Sequence, residues 1–219
     1  MKKKLLVIAA VVAVVAVMIA GTTLAYFTVE DTKKNVFEIG AGVDVELTEE
    51  EWDDEEEHPV IPGKEYAKDP TVTVNDGGVD CYVRFVIEVT EREDIDKIVA
   101  NYLKRTGKTS FDPSALLSDF DASIYNDIVV ERPDSGTYAD STVYYLTVKE
   151  ALSEGDSVTA FTGVTFPADL ATSDFYKDGD TSDNANKFDI SSFNINVTAQ
   201  VIQAEGFDTA ADAFAAWED

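Results

Sequence analysis

Between residues 79 and 90 every second side chain is apolar. Cys81, Val83, Phe85, Ile87 and Val89 share one parity, with Arg84 and Glu88 on the other. A period of two suits a strand with one buried and one wet face, because successive side chains point to opposite sides of a sheet. The same rhythm runs through residues 37–47, where Phe37, Ile39, Ala41, Val43, Val45 and Leu47 alternate with residues that include Glu38, Asp44 and Glu46. It returns at Phe193, Ile195, Val197, Ala199 and Val201, against Asn194, Asn196, Thr198 and Gln200. Shorter strands are expected at 71–74, 123–130, 143–148 and 157–166, separated by turn formers such as "NDGG", "RPDSG", "SEGD" and "KDGDTSDNAN". Two segments break the rhythm. "EREDIDKIVANYLK" spaces Ile95, Ile98, Val99 and Tyr102 along one helix face, and "FDTAADAFAAWED" ends the chain in helix formers with Asp208 as the expected N-cap. Together these features predict an all-β chain: an antiparallel jelly-roll-like β-sandwich with one or two helical insertions and a short C-terminal helix.

The N-terminus follows different rules. Lys2, Lys3 and Lys4 precede an unbroken apolar run over residues 5–20, and Gly21-Thr22-Thr23-Leu24-Ala25 supplies small residues at a cleavage point. This is the layout of a secretory signal peptide, and the apolar run falls short of the ~20 residues a spanning helix prefers. Residues 1–25 are predicted to be removed, so that the mature chain begins at Tyr26; an uncleaved anchor is the alternative. The protein is then secreted, to the extracellular matrix or the cell surface. A signal peptidase is its partner during export, and it meets the membrane only through the signal before cleavage.

With 43 Asp and Glu against 17 Lys and Arg, the net charge is −26, and losing three lysines with the signal makes it more negative still. Phosphates repel such a surface, which argues against nucleic acid as a partner. A lone cysteine, Cys81, permits no internal disulfide, so the core must hold the fold. Its parity places it on the core face, where cysteine behaves as a small hydrophobe.

The stretches "LAYFTVEDTKKNVFEIGAGVDVEL", "PGKEYAKDPTVTVNDGGVDCYVRFVIEV", "VYYLTVKEALSEGDSVTAFTGVTFP" and "FNINVTAQVIQAEGFDTAADAFAAW", behind the signal, resemble the TasA/camelysin family of exported bacterial proteins with SipW-type signal peptides. The resemblance implies a jelly-roll domain at the cell surface or in the biofilm matrix. There, relatives assemble into fibres by passing the N-terminal strand of one subunit to the next. It also keeps a camelysin-like surface metalloprotease in view, by analogy alone.

Individual residues narrow the choice. A zinc peptidase normally presents paired histidines, and His58 is the one histidine here. No Gly-x-Ser-x-Gly elbow occurs, so no catalytic residues are assigned and the chain is read as a non-enzyme. Asp178, Asp180, Asp183 and Asn184 offer hard oxygen ligands on one short loop; a plain polar turn is the reading adopted, with Ca²⁺ as the alternative and no other cofactor. Trp52, Tyr144, Tyr145 and Trp217 are weak candidates for a sugar-binding surface. The acidic run 49–57 reads as a solvated loop.

Phe27 and Val29 carry the apolar parity of Phe37 and Ile39, but Asp31, Lys33 and Asn35 interrupt it. Burying those three without partners would cost free energy. The segment is therefore divided. Residues 36–219 form the domain, and residues 26–35 form a donor strand and linker in which Tyr26, Phe27, Thr28 and Val29 pair with another copy. The expected product is a head-to-tail homopolymer, an extracellular fibre. A monomeric surface-binding module and the metalloprotease are the rival functions.

Overall fold

The computed structural model describes residues 27–31, 34–39, 42–52, 60–179, 181, 184–190 and 193–218. The signal segment, Tyr26 and His58 lie outside this set. No described helix is long and apolar enough to cross a membrane.

In chain order the described strands are β1 (Phe27–Asp31), β2 (Lys34–Ile39), β3 (Val45–Thr48), β4 (Glu65–Ala67), β5 (Thr71–Val74) and β6 (Cys81–Val89). They continue as β7 (Leu117–Ser118), β8 (Tyr125–Glu131), β9 (Thr142–Val148), β10 (Ser157–Thr159), β11 (Gly163–Thr165) and β12 (Ile195–Gln203). Among the described residues two α-helices accompany them, α1 (Arg92–Thr106) and α2 (Ala210–Glu218). The chain is all-β in class, and every described strand pairing but one is antiparallel.

A six-stranded sheet runs β1-β2-β12-β6-β9-β8, and its exception is the parallel pairing of β2 with β12. Two three-stranded sheets, β10-β5-β3 and β4-β11-β7, prove to be halves of one ribbon. Thr71 stands opposite Thr159 and Ala67 opposite Gly163, so both halves keep one register. Between them Lys68 donates its amide to the Thr162 carbonyl at 3.3 Å, and Ala160 donates to the carbonyl of Pro70 at 2.9 Å. Pro70 has no N–H to return, which interrupts the ladder without shifting it.

The main core lies between these layers. Val83, Phe85, Ile87, Leu146, Val148, Ala199 and Val201 come from the large sheet, and Val45, Leu47, Val72, Val74 and Val164 from the ribbon. Each of the Val, Leu, Ile and Phe side chains contributes roughly 1.5–3 kcal/mol on burial. Cys81 is fully buried in this cluster, as its parity predicts. On the opposite face of the sheet α2 packs Ala210, Ala213 and Phe214 against Tyr82 and Ile202.

Three sequence expectations are corrected. Residues 37–47 alternate without a break, yet they supply β2 and β3, which belong to different sheets. Gly42, with φ of +85°, stands in the crossing between them, in a backbone region that L side chains rarely adopt. Residues 157–166 likewise give two strands, on either side of the Pro70 interruption. Finally, Thr209 and not Asp208 caps α2: its hydroxyl accepts the Asp212 amide at 3.2 Å and donates to the Asp212 carboxylate at 2.7 Å.

Candidate functional site

The helix α1 forms where its sequence says it should. Glu93 and Asp94 sit in its first turn and Lys104 and Arg105 in its last, complementing the helix dipole. Gly107 ends it in the left-handed region at φ of 71°, returning its amide to the Leu103 carbonyl at 2.9 Å. Ile95, Ile98, Val99, Tyr102 and Leu103 make one apolar face. That face does not close onto a filled core. With Ile87 and Val89 of β6, Tyr144 and Leu146 of β9, Ile128 and Val130 of β8, and the rings of Phe111, Phe120, Phe166 and Phe193, it lines a groove of about 590 Å³. Asp96, Asp112, Ser114 and Thr142 are its non-aromatic polar lining residues. Such walls suit apolar side chains or an apolar ligand, within the size range of ordinary binding pockets.

Ionic contacts hold α1 over the groove at both ends. At the N-terminal end Arg92 reaches Asp134 at 2.9 Å and the Pro133 carbonyl at 3.3 Å, while Asp140 accepts the Glu93 amide at 3.1 Å. Arg132 also pairs with Asp96. At the other end Arg105 grips both oxygens of Asp174, at 2.8 and 2.6 Å. Beside them Tyr102 and Lys108 donate to Asp169 at 2.9 and 3.0 Å. Burial pushes the Asp174 carboxyl upward, but Arg105 and the Ala171 amide outweigh it and hold the group below the ordinary aspartate value. Asp169 is held low too, first by Lys108 and then by Tyr102.

The groove's sheet side ends at β8. This strand is last in its sheet and pairs only with β9 among the described residues. From Asn126 to Glu131 all six residues are exposed, including Ile128 at 39%, Val129 at 41% and Val130 at 51%. An apolar edge strand with one side unpaired is a template for another strand. The sequence signals it: "IVV" is apolar on both parities, which a strand with one wet face has no reason to be.

The opposite end of the same sheet is β1. Thr28 stands opposite Phe37, Val29 opposite Val36 and Asp31 opposite Lys34. Thus Phe27, Thr28 and Val29 of the expected donor segment are strand residues on the chain's own β2. Asp31, Lys34 and Asn35 of the expected linker are paired as well.

Other candidate residues have local explanations. Asp178 accepts from Asn186 at 3.0 Å and Asn184 opens a 3-10 turn, whereas Asp180 and Asp183 lie outside the described residues. Among the described residues no group of three or more His, Cys, Asp or Glu side chains is placed to hold a metal. The Trp52 ring lies 4.4 Å from the ammonium of buried Lys68, which pairs with Glu49 at 2.8 Å. Trp217 packs against Phe214, and Tyr144 and Tyr145 divide between the groove and Arg84.

No family model matches the chain, and neither a curated protein nor a solved structure matches it.

Proposed function

We propose that the chain is an exported structural protein of the TasA/camelysin type. On this reading residues 1–25 are removed and the mature protein polymerises outside the cell. Residues 26–35 pass to a neighbouring copy, and the remaining residues wrap as a jelly roll. One observation carries the reading: a domain with a large buried core leaves an apolar groove of about 590 Å³ open. Phe27 and Val29, alternating with Thr28 and Glu30, are the kind of side chains that would fill it.

Charging the donor in the double variant Phe27→Asp, Val29→Asp, or deleting residues 26–35, should leave a folded monomer that makes no filaments in negative-stain images. Filaments of normal length from either variant would overturn the reading. The same groove also favours a second reading, a monomeric surface module that holds an apolar ligand. That reading predicts no filaments from the unmodified mature protein either.

A further inference from the structure

We propose that the groove takes a long-chain alcohol, its uncharged hydroxyl head at Thr142 and Tyr144 and its hydrocarbon tail under α1. The proposal rests on the second reading above, the groove as the seat of an apolar ligand, and names the chemistry of that ligand. Thr142 and Tyr144 stand two residues apart on β9, so their side chains turn to one face, and both line the groove. Both are half-buried, and neither hydroxyl has a hydrogen-bond partner among the described residues. The other hydroxyls of the lining are committed. Ser114 donates to Asp112 at 2.7 Å, and Tyr102 donates to Asp169 at 2.9 Å. The open hydroxyl donors therefore lie together at one end of an apolar space.

Charge decides what head that end accepts. Arg132 and Asp96 act on the Tyr144 phenol in opposite directions, the first lowering its pKa and the second raising it. They also pair with each other, so the charges beside the phenol cancel. Burial holds the phenol above its ordinary value, and it stays a protonated donor. Of the residues lining the groove, Asp96 and Asp112 are the charged ones, and both are acidic. A carboxylate head would meet no free cation there, and an ammonium head would leave water for an end already in balance. An alcohol does neither, and its hydroxyl both accepts from one side chain and donates to the other. The tail has room: from Ile95 to Leu103 the groove wall follows α1 for about 12 Å, the reach of an extended decyl chain.

Equilibrium dialysis of the purified mature chain against decanol, decanoate and decylammonium tests the head while holding the tail constant. Decanol should bind once per chain and at least about tenfold more tightly than either ion, because neither ion finds a counter-charge. The double variant Thr142→Val, Tyr144→Phe removes both hydroxyls with little change in shape and should keep the melting temperature. Its affinity for decanol should fall about fivefold or more, the loss of a hydrogen bond or two, with its affinity for the ions unchanged. Val99→Trp fills the groove from α1 and should abolish binding of all three; if that variant misfolds, the double variant still decides. Decanoate or decylammonium binding as tightly as decanol would overturn the proposal and leave the apolar-ligand reading standing. So would a double variant that keeps the full affinity for decanol. Binding of none of the three would overturn both.

Discussion

Asp174 is almost fully buried, yet it stays ionised because Arg105 meets both of its oxygens. A carboxyl held below its ordinary value contributes stability above that value and loses it as the pH falls through its own, lower one. Asp169 shares the direction. The C-terminal anchor of α1 should therefore be intact at neutral pH and be lost only as the pH falls below the ordinary aspartate range. Asp174→Asn removes the charge with little change in size. Its melting temperature should lie roughly 4 °C below wild type at pH 7, with the gap closing as the pH falls towards the lowered value of Asp174, where wild type loses the same charge. Thermal scans by circular dichroism across pH 3–7 check this, and a gap that stays constant would show that the ion pair contributes nothing.

At the scale of elements, α1 owes its sharp end to Gly107, whose left-handed backbone a side chain strains. Gly107→Ala should destabilise the domain by about 1 kcal/mol, measured by urea unfolding. That helix was legible in the sequence because Ile95, Ile98, Val99 and Tyr102 repeat at its own period. β5 was legible from the run Thr71–Val74, and the strand of residues 81–89 from its alternation. The division of residues 37–47 was not. Alternation records which face is buried, and it is blind to which sheet buries it. Only Gly40 and Gly42 hinted at the crossing, and glycines alone do not distinguish a kink from a bulge. The groove was not legible either, since it is a space where α1, the large sheet and a set of loops fail to meet. The residues around it look like ordinary core residues. The double-sided apolar run of β8 was the one trace of it, and a strand candidate at 123–130 did not by itself say edge.

At the scale of the molecule, the charge of −26 sets the terms of association. Copies approaching one another carry strong mutual repulsion, screened over ~10 Å at 0.1 M salt and ~30 Å at 0.01 M. On the fibre-forming reading, raising the salt from roughly 0.01 to 0.1 M should shorten the lag before filaments appear several-fold. Light scattering against time measures it, and a lag independent of salt would mean that repulsion does not limit assembly.

The parallel pairing of β2 with β12 has a consequence for timing. Val36 lies beside Ala199, residues far apart in sequence, and β12 also supplies the partner of the long strand β6. As the polypeptide grows from its N-terminus, one side of β2 and one side of β6 have no neighbour until residues 195–203 have been synthesised. Pairings so distant in sequence carry a large loop-closure cost and form slowly. A nascent chain of this layout keeps the sheet open until β12 emerges. Closure of the large sheet is then a late event in the folding of each molecule.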